Sequence, residues 1–76
     1  MKQEFYIVQI GEFYVEGYAG EIIQDGNGDI FRIINLNNLD VVRDPFEAAH
    51  FSELSAKAIA EEIGGQAKKI TVEIED

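Results

Sequence analysis

Residues 4–18, EFYIVQIGEFYVEGY, predict a tight β-hairpin that the rest of the chain is organised around. Two runs rich in Phe, Tyr, Ile and Val flank Gly11 and Glu12. A glycine followed by a polar residue is typical of a two-residue type II′ turn, and loop length sets the register of a hairpin. The predicted pairs are Ile10 opposite Phe13, Val8 opposite Val15, and Tyr6 opposite Gly17.

The two faces of this hairpin differ in character, because successive side chains alternate across a strand. One face is apolar and aromatic, so we expect it to form the core; it carries Tyr6, Val8, Ile10, Phe13 and Val15. The other face is too apolar for an ordinary solvent face. Cross-strand aromatic pairing could explain it, and so could burial against a second copy or another protein. This second face carries Phe5, Ile7, Gln9, Tyr14, Glu16 and Tyr18.

Further strands are predicted on both sides of a helix. Residues 30–36 (IFRIINL) follow a dense turn signal, QDGNGD, and have the β-branched composition of a strand. Residues 39–42 add a short apolar run that continues this strand or forms an irregular one. Residues 69–75 (KITVEIE) alternate strictly, which is typical of a half-buried strand. In it we expect Ile70, Val72 and Ile74 to face the core, and Thr71, Glu73 and Glu75 to face away.

The helix has recognisable signals at both ends. Asp44 before Pro45 predicts a first short helical segment, and Ser52 is the expected cap of the main helix. Glycines at positions 64 and 65 are expected to end it, because glycine adopts the left-handed conformation without a steric penalty. The apolar stripe is predicted to contain Leu54, Ala58, Ile59 and Ile63, with Ala56 and Ala60 nearby.

These elements predict a single α+β domain over residues 1–76. The order β-β-β-α-β gives a four-stranded sheet with one main helix packed on one face. The helix is expected to return the chain, which would make the last strand parallel to the first and the sheet mixed. The first strand has apolar residues on both faces and suits a central position, so the expected strand order is 4-1-2-3.

Composition narrows the classes of function. Six basic and fifteen acidic residues give a net charge of −9, which opposes binding to nucleic acid or to anionic membranes. The acidic surface serves solubility or a function of its own, including mimicry of a nucleic-acid backbone. The chain has no cysteine, which removes disulfides and thiolate metal sites. The beginning of the chain lacks a signal segment and no apolar run is long enough to span a bilayer, so we expect a cytoplasmic protein.

Candidate chemistry is sparse. Asp25, Asn27 and Asp29 have the spacing that opens a calcium-binding EF-hand loop, but Ile30 and Leu36 stand where that loop needs glycine and a bidentate acid. His50 is the sole histidine and has no partner at a catalytic or zinc-binding spacing. The neighbouring acids Glu12, Glu16 and Glu21 are expected to be solvated. We therefore predict no catalytic, cofactor or metal site.

The chain also resembles a group of known proteins. The pattern F-x-x-L-x-x-x-A-I-A-x-x-I-G-G, Phe51 to Gly65, is followed by the alternating strand, and the hairpin FYIVQIGEFYVEGY precedes it. Together they resemble small acidic proteins encoded in phages and prophages of Gram-positive bacteria, most of which have unknown functions. Some small acidic phage proteins inhibit host defence nucleases, so the resemblance implies an anti-defence role as one alternative. The shared positions are core and capping residues, so no functional residue is carried over.

The predicted function is a non-catalytic protein-interaction module whose partner is another protein or a second copy of itself, and the resemblance implies a phage origin. The alternatives are an anti-defence inhibitor that mimics nucleic acid and a structural homodimer. Neither a cofactor, nor direct contact with nucleic acid, nor a membrane is expected. The predicted protein-binding residues are Phe5, Ile7, Tyr14, Glu16, Tyr18, Glu73 and Glu75.

Overall fold

The computed structural model describes residues 1–75, which form one four-stranded antiparallel sheet and one α-helix. The strand order is β3-β2-β1-β4, so the α+β class and each strand's neighbours agree with expectation. The prediction of a mixed sheet is wrong, because β4 runs antiparallel to β1. The elements are β1 (Lys2–Ile10), β2 (Phe13–Gln24), β3 (Ile30–Val42), a 3-10 turn (Pro45–Glu47), α1 (Glu53–Ile63) and β4 (Gln66–Glu73).

The two-residue turn is confirmed, but the hairpin separates soon after it. Gly11 has φ +59°, as the first central position of a type II′ turn requires, and Ile10 pairs with Phe13. Pairing between β1 and β2 ends one step later, at Gln9 and Tyr14. The predicted pairs of Val8 with Val15 and of Tyr6 with Gly17 are therefore wrong.

Residues 49–51 fill the space between the separated strands. The Ala49 amide donates to the Val15 carbonyl at 2.9 Å, which ties the segment to β2. On the other side, Tyr6 and Phe51 exchange backbone hydrogen bonds at 2.9 and 2.8 Å, as an antiparallel bridge. Residues 49–51 thus supply backbone hydrogen-bond partners to the part of β1 before Gln9, where β2 is no longer paired with it.

This segment also explains the direction of β4. The segment runs antiparallel to β1 before the helix begins, so the helix starts at the end of the sheet that is remote from the turn at Gly11 and Glu12. The Ser55 hydroxyl, in the first turn of α1, accepts from the amide of Ile30 at the start of β3. The helix ends near Gln9, where Gln66 opens β4. Because the return is made before the helix, the helix leads into an antiparallel strand.

A β-bulge in β2 moves Tyr18 to the helix side. Val15 pairs with Val41 and Gly17 with Asp40, which leaves Glu16 as the extra residue. One extra residue reverses the alternation that follows it. Tyr18 therefore packs against the core beneath the helix, and its predicted place on the opposite face is wrong.

β3 has an apolar period of three rather than two. Every third side chain from Ile30 to Val42 is buried or half-buried, and the side chains between them are exposed. Three register shifts cause this period. Between positions 30 and 38, each shift adds one unpaired residue to β3, so three residues of β3 lie alongside two residues of β2. The extra residues of β3 are Phe31, Ile34 and Asn37. The helix-side positions of that strand are Ile30, Ile33, Leu36 and Leu39.

The helix begins and ends where expected, but a different stripe faces the sheet. The Ser52 side chain accepts from the Ser55 amide at 3.3 Å, and Gly64 adopts the left-handed conformation at the other end. Leu54, predicted to be core, is 57% exposed. The buried stripe of the helix begins at Ser55 instead of Leu54. Helix and sheet together form a core that centres on Val8, Val15, Ile30, Ala56, Ile59 and Ala60.

Candidate functional site

The face of β1 turned away from the helix forms the floor of an apolar cleft. Tyr6 and Val8 belong to the helix-side core, so Phe5 and Ile7 point to the opposite face. Phe5 pairs with Ile70 of β4, which places Ile70 and Val72 on this same face rather than under the helix as predicted. The cleft encloses about 540 Å³ and is lined by Gln3, Phe5, Ile7, Pro45, Phe46, His50, Ile70 and Val72.

The segment after β3 forms the wall of this cleft. Asp44 caps the 3-10 turn by accepting from the Phe46 amide at 2.9 Å, and Pro45 supplies the fixed φ of its first position. This turn holds the Phe46 side chain in solvent, where it is 92% exposed. A rigid turn therefore presents a large aromatic side chain at the mouth of an apolar cleft.

His50 contributes the polar edge of the cleft. Its ring stacks on Phe5 with 3.8 Å between ring centroids and 15° between planes. The stack covers part of the Phe5 ring, while the His50 residue itself stays exposed. The imidazole nitrogens can donate or accept hydrogen bonds at the edge of an otherwise apolar wall.

The predicted protein-binding residues are not all brought together. Phe5 and Ile7 lie in the cleft, with Ile7 only 3% exposed. Tyr14 is half-buried beside Gln9 at the turn, and Glu16 is exposed at the bulge. Tyr18 lies beneath the helix with its ring 6.2 Å from that of Phe51. Glu73 pairs with Lys2 on the helix side of the sheet, and Glu75 is exposed beyond the end of β4.

The cleft contains residues that were not predicted as binding residues. The sequence predicts a short helical segment over residues 45–50, which contain Phe46 and His50, and it predicts core positions for Ile70 and Val72. The available signal was the aromatic Phe46 between two acids in Asp44-Pro-Phe46-Glu47. Phe46 belongs to no repeating pattern of apolar residues that would place its side chain in the core. The acids on either side of this turn, Asp44 and Glu47, are both exposed.

A separate polar cluster joins α1 to β1 on the other face. The Tyr6 hydroxyl donates to Glu53 at 2.5 Å, and Lys57 lies 3.4 Å from the same carboxylate. The hydrogen bond to Glu53 raises the pKa of Tyr6. The hydrogen bond from Tyr6, and then the charge of Lys57, lower the pKa of Glu53. This cluster is solvent-exposed and holds the first turn of the helix against the sheet.

The aspartate-rich turn uses its carboxylate internally. Asp25 accepts from the amides of Asn27 and Asp29 at 2.9 and 3.0 Å, which closes the β2–β3 connection. Within residues 1–75, no group of three or more His, Cys, Asp or Glu side chains is placed to hold a metal ion. The described part of the chain also contains no helix with the length and apolarity needed to cross a bilayer.

The cleft therefore combines an apolar floor, an exposed aromatic wall and flanking acids. These features are those of a surface that buries an apolar group from another molecule. No protein-family model matches this chain. Comparison with curated proteins finds no significant match, and comparison with solved structures finds none either.

Proposed function

We propose that this protein is a non-catalytic protein-interaction module of the cytoplasm that receives an apolar segment of a protein partner in the cleft beside Phe46. The observation that carries the proposal is the 92% exposure of Phe46 above an apolar cleft of about 540 Å³. This site keeps Phe5 and Ile7 from the predicted surface and replaces its other members with residues of β4 and of the 3-10 turn.

The energetic argument concerns the exposed ring. Burying a phenylalanine side chain is favourable by about 1.5–3 kcal/mol, and this protein leaves that gain unused at Phe46. The backbone around the ring is already ordered by the Asp44 cap, so little conformational entropy is lost when a partner docks. Aromatic side chains in such positions often carry much of the affinity of an interface.

The charge argument concerns the partner. Asp44 and Glu47 flank the cleft wall, and the whole chain carries a net charge of −9. Such a field speeds encounter with basic surfaces and disfavours acidic ones. The partner segment that fits is thus one or two large apolar side chains flanked by Lys or Arg.

The test is selection of a random peptide library on the protein, followed by affinity measurement for the selected peptides. We expect apolar peptides with basic flanks, whose affinity falls at least about tenfold, or about 1.4 kcal/mol, in Phe46→Ala. Phe31→Ala is the matched control, because Phe31 is also largely exposed at 74% but lies outside the cleft. It should change affinity less than about twofold.

Two results would count against the cleft as the binding site. One is selected peptides that bind Phe46→Ala and wild type equally. The other is peptide-induced amide shifts in NMR spectra that avoid Phe5, His50 and Ile70. Circular dichroism of Phe46→Ala should match wild type, since the side chain contributes little to the folded core.

A second proposal rests on charge alone: a phage-derived anti-defence inhibitor that presents carboxylates to a nucleic-acid-binding channel. It is favoured by fifteen acidic against six basic residues and by the exposure of Glu12, Glu16 and Glu21 along one hairpin. Binding to such a target would fall steeply with added salt and would be insensitive to Phe46→Ala. The cleft proposal expects a marked loss of affinity in Phe46→Ala and a weaker dependence on salt, which arises from the basic flanks of the partner segment.

A further inference from the structure

The two outer edges of the sheet are built differently. The β3 edge belongs to a ladder with repeated register shifts, whereas β4 pairs with β1 without a shift from Gln66 to Glu73. Bulges and irregular twist discourage pairing with another chain, while a straight, regular edge invites it. β4 also contains no proline, the residue that would remove an outward amide.

The backbone groups that point outward from β4 can be identified. Met1 and Ile74 exchange backbone hydrogen bonds, at 2.8 and 3.3 Å, so Ile74 bonds inward. Alternation along an antiparallel ladder then turns the groups of 66, 68, 70 and 72 inward as well. The outward N–H and C=O groups belong to Ala67, Lys69, Thr71 and Glu73. Among residues 1–75, no backbone hydrogen bond outside the sheet engages these four.

We propose that β4 pairs with β4 of a second copy of this chain, antiparallel about a twofold axis, with Thr71 opposite the partner's Thr71. The two sheets then join into one continuous sheet of eight strands. This inference concerns the edge of the sheet, which adjoins the cleft at Ile70 and Val72, and it does not rest on the peptide-binding proposal.

Charge selects this register over its neighbours. With Thr71 on the axis, Lys69, whose ammonium lies 3.2 Å from the Glu4 carboxylate of its own chain, also faces the partner's Glu73, and the symmetry produces this arrangement twice. Opposite charges in directly facing positions stabilise a strand pair. Sliding the copies one way puts Thr71 opposite Lys69. Sliding them the other way puts Thr71 opposite Glu73, and Lys69 then faces Glu75, beyond the end of β4.

The other face of the same register is apolar at its centre, and Lys68 faces the partner's Ile74 farther out. Ile70 lies opposite the partner's Val72, so the half-buried Ile70 and the 40% exposed Val72 cover each other across the axis. Both residues line the cleft, so the partner's Val72 extends its floor. The pairing buries apolar side chains on one face and matches charges on the other.

The test is the concentration dependence of molecular mass, measured by light scattering and sedimentation equilibrium on the full chain. Wild type should approach twice its monomer mass of 8.5 kDa. Lys69→Glu places like charges opposite each other twice, and we expect the dimer dissociation constant to rise at least about tenfold. The charge swap Lys69→Glu with Glu73→Lys should restore it to within about threefold.

Backbone variants test the same edge independently. Thr71→Pro removes an outward amide and should give a monomer whose circular dichroism matches wild type. Thr71→Val is the matched control: it keeps that amide and should remain dimeric. If Thr71→Pro does not fold, the charge variants and a nuclear Overhauser effect between the α-protons of Ile70 and the partner's Val72 decide the question.

Three outcomes would overturn the proposal. The first is a wild type that stays monomeric at the highest soluble concentration. The second is a dimer whose dissociation constant is unchanged in Lys69→Glu. The third is a dimer that dissociates in Phe46→Ala but not in Lys69→Glu, which would place the contact at the cleft.

Discussion

Replacing Ser55 with alanine tests the contact that fixes the start of the helix on the sheet. The Ser55 hydroxyl accepts from the Ile30 amide at 2.9 Å and also lies 3.0 Å from the Ser52 hydroxyl. Ser55 and Ile30 are only 6% and 3% exposed, so water cannot readily replace the lost acceptor. The substitution leaves a buried N–H group without a partner.

The expected loss follows from two opposing terms. An unsatisfied buried donor costs about 1–3 kcal/mol. Alanine in place of serine within a helix returns up to about 0.5 kcal/mol. We expect a net loss of about 1–2 kcal/mol in the free energy of unfolding, which is a large part of the roughly 4–11 kcal/mol typical of a domain of this length. The midpoint temperature should fall by about 4–8 °C for each kcal/mol.

The assay is urea unfolding followed by circular dichroism, combined with amide hydrogen exchange by NMR. Ser55→Ala should speed exchange of the Ile30 amide selectively. Ser52→Ala is the control: it removes the helix cap at a cost of about 1 kcal/mol and leaves the Ile30 amide bonded. A loss below about 0.5 kcal/mol in Ser55→Ala, with Ile30 exchange unchanged, would refute this account of the helix–sheet contact.

Three further substitutions probe other parts of the fold. Ile33→Ala should cost about 1–3 kcal/mol and Ile34→Ala less than about 0.5 in urea unfolding, because only Ile33 packs against the core; equal costs would contradict the period of three. Gly65→Ala should destabilise by about 1–3 kcal/mol, since its Cβ would lie 2.5 Å from the Gln9 carbonyl oxygen, while Gly26→Ala, with open space around it, is the neutral control; thermal melts of the two should separate clearly. Tyr6→Phe should flatten the pH dependence of unfolding at both ends. The lowered pKa of Glu53 gives stability that is present above its ordinary value of 4.5 and lost as pH falls; the raised pKa of Tyr6 gives stability that is present below 10.0 and lost as pH rises. If the free energy of unfolding changes as steeply with pH in Tyr6→Phe as in wild type, at both low and high pH, this hydrogen bond does not contribute.

Much of the local structure could be predicted from sequence because its signals are local. Gly11 in the turn, Asp44 and Ser52 as caps and Gly64 at the helix end each act on groups within a few residues. The α+β class and the strand neighbours follow from the same patterns. These elements are where local preference and the final fold agree.

The errors came from contacts between distant parts of the chain. Nothing near Tyr6 in sequence shows that its backbone partner is Phe51, and this contact decides the direction of β4. The bulge at Glu16 has no glycine or proline at the extra position, so the face of Tyr18 could not be read from alternation. In β3, Ile30, Ile33, Leu36 and Leu39 do recur every third residue, but this spacing fits neither a regular strand nor a helix.

The residues of the proposed binding surface were only partly predictable for the same reason. Phe5 and Ile7 were placed on the correct face by alternation from a correctly identified turn. Ile70 and Val72 were placed on the wrong face because the direction of β4 was wrong. The position of Phe46 beside the cleft depends on residues 49–51 crossing back between β1 and β2, which is a tertiary feature.

The insertion of residues 49–51 between β1 and β2 also predicts an order of events in folding. A hairpin with a two-residue turn forms within about 1–10 μs, and in a short nascent chain nothing interrupts its pairing beyond Gln9. A fully paired hairpin places Tyr6 opposite Gly17. In the folded protein this pair is replaced by the backbone bridge between Tyr6 and Phe51. We therefore expect the earliest ordered state of this chain to contain pairs that open again before folding is complete. On this expectation, folding ends by replacing these pairs rather than by extending them.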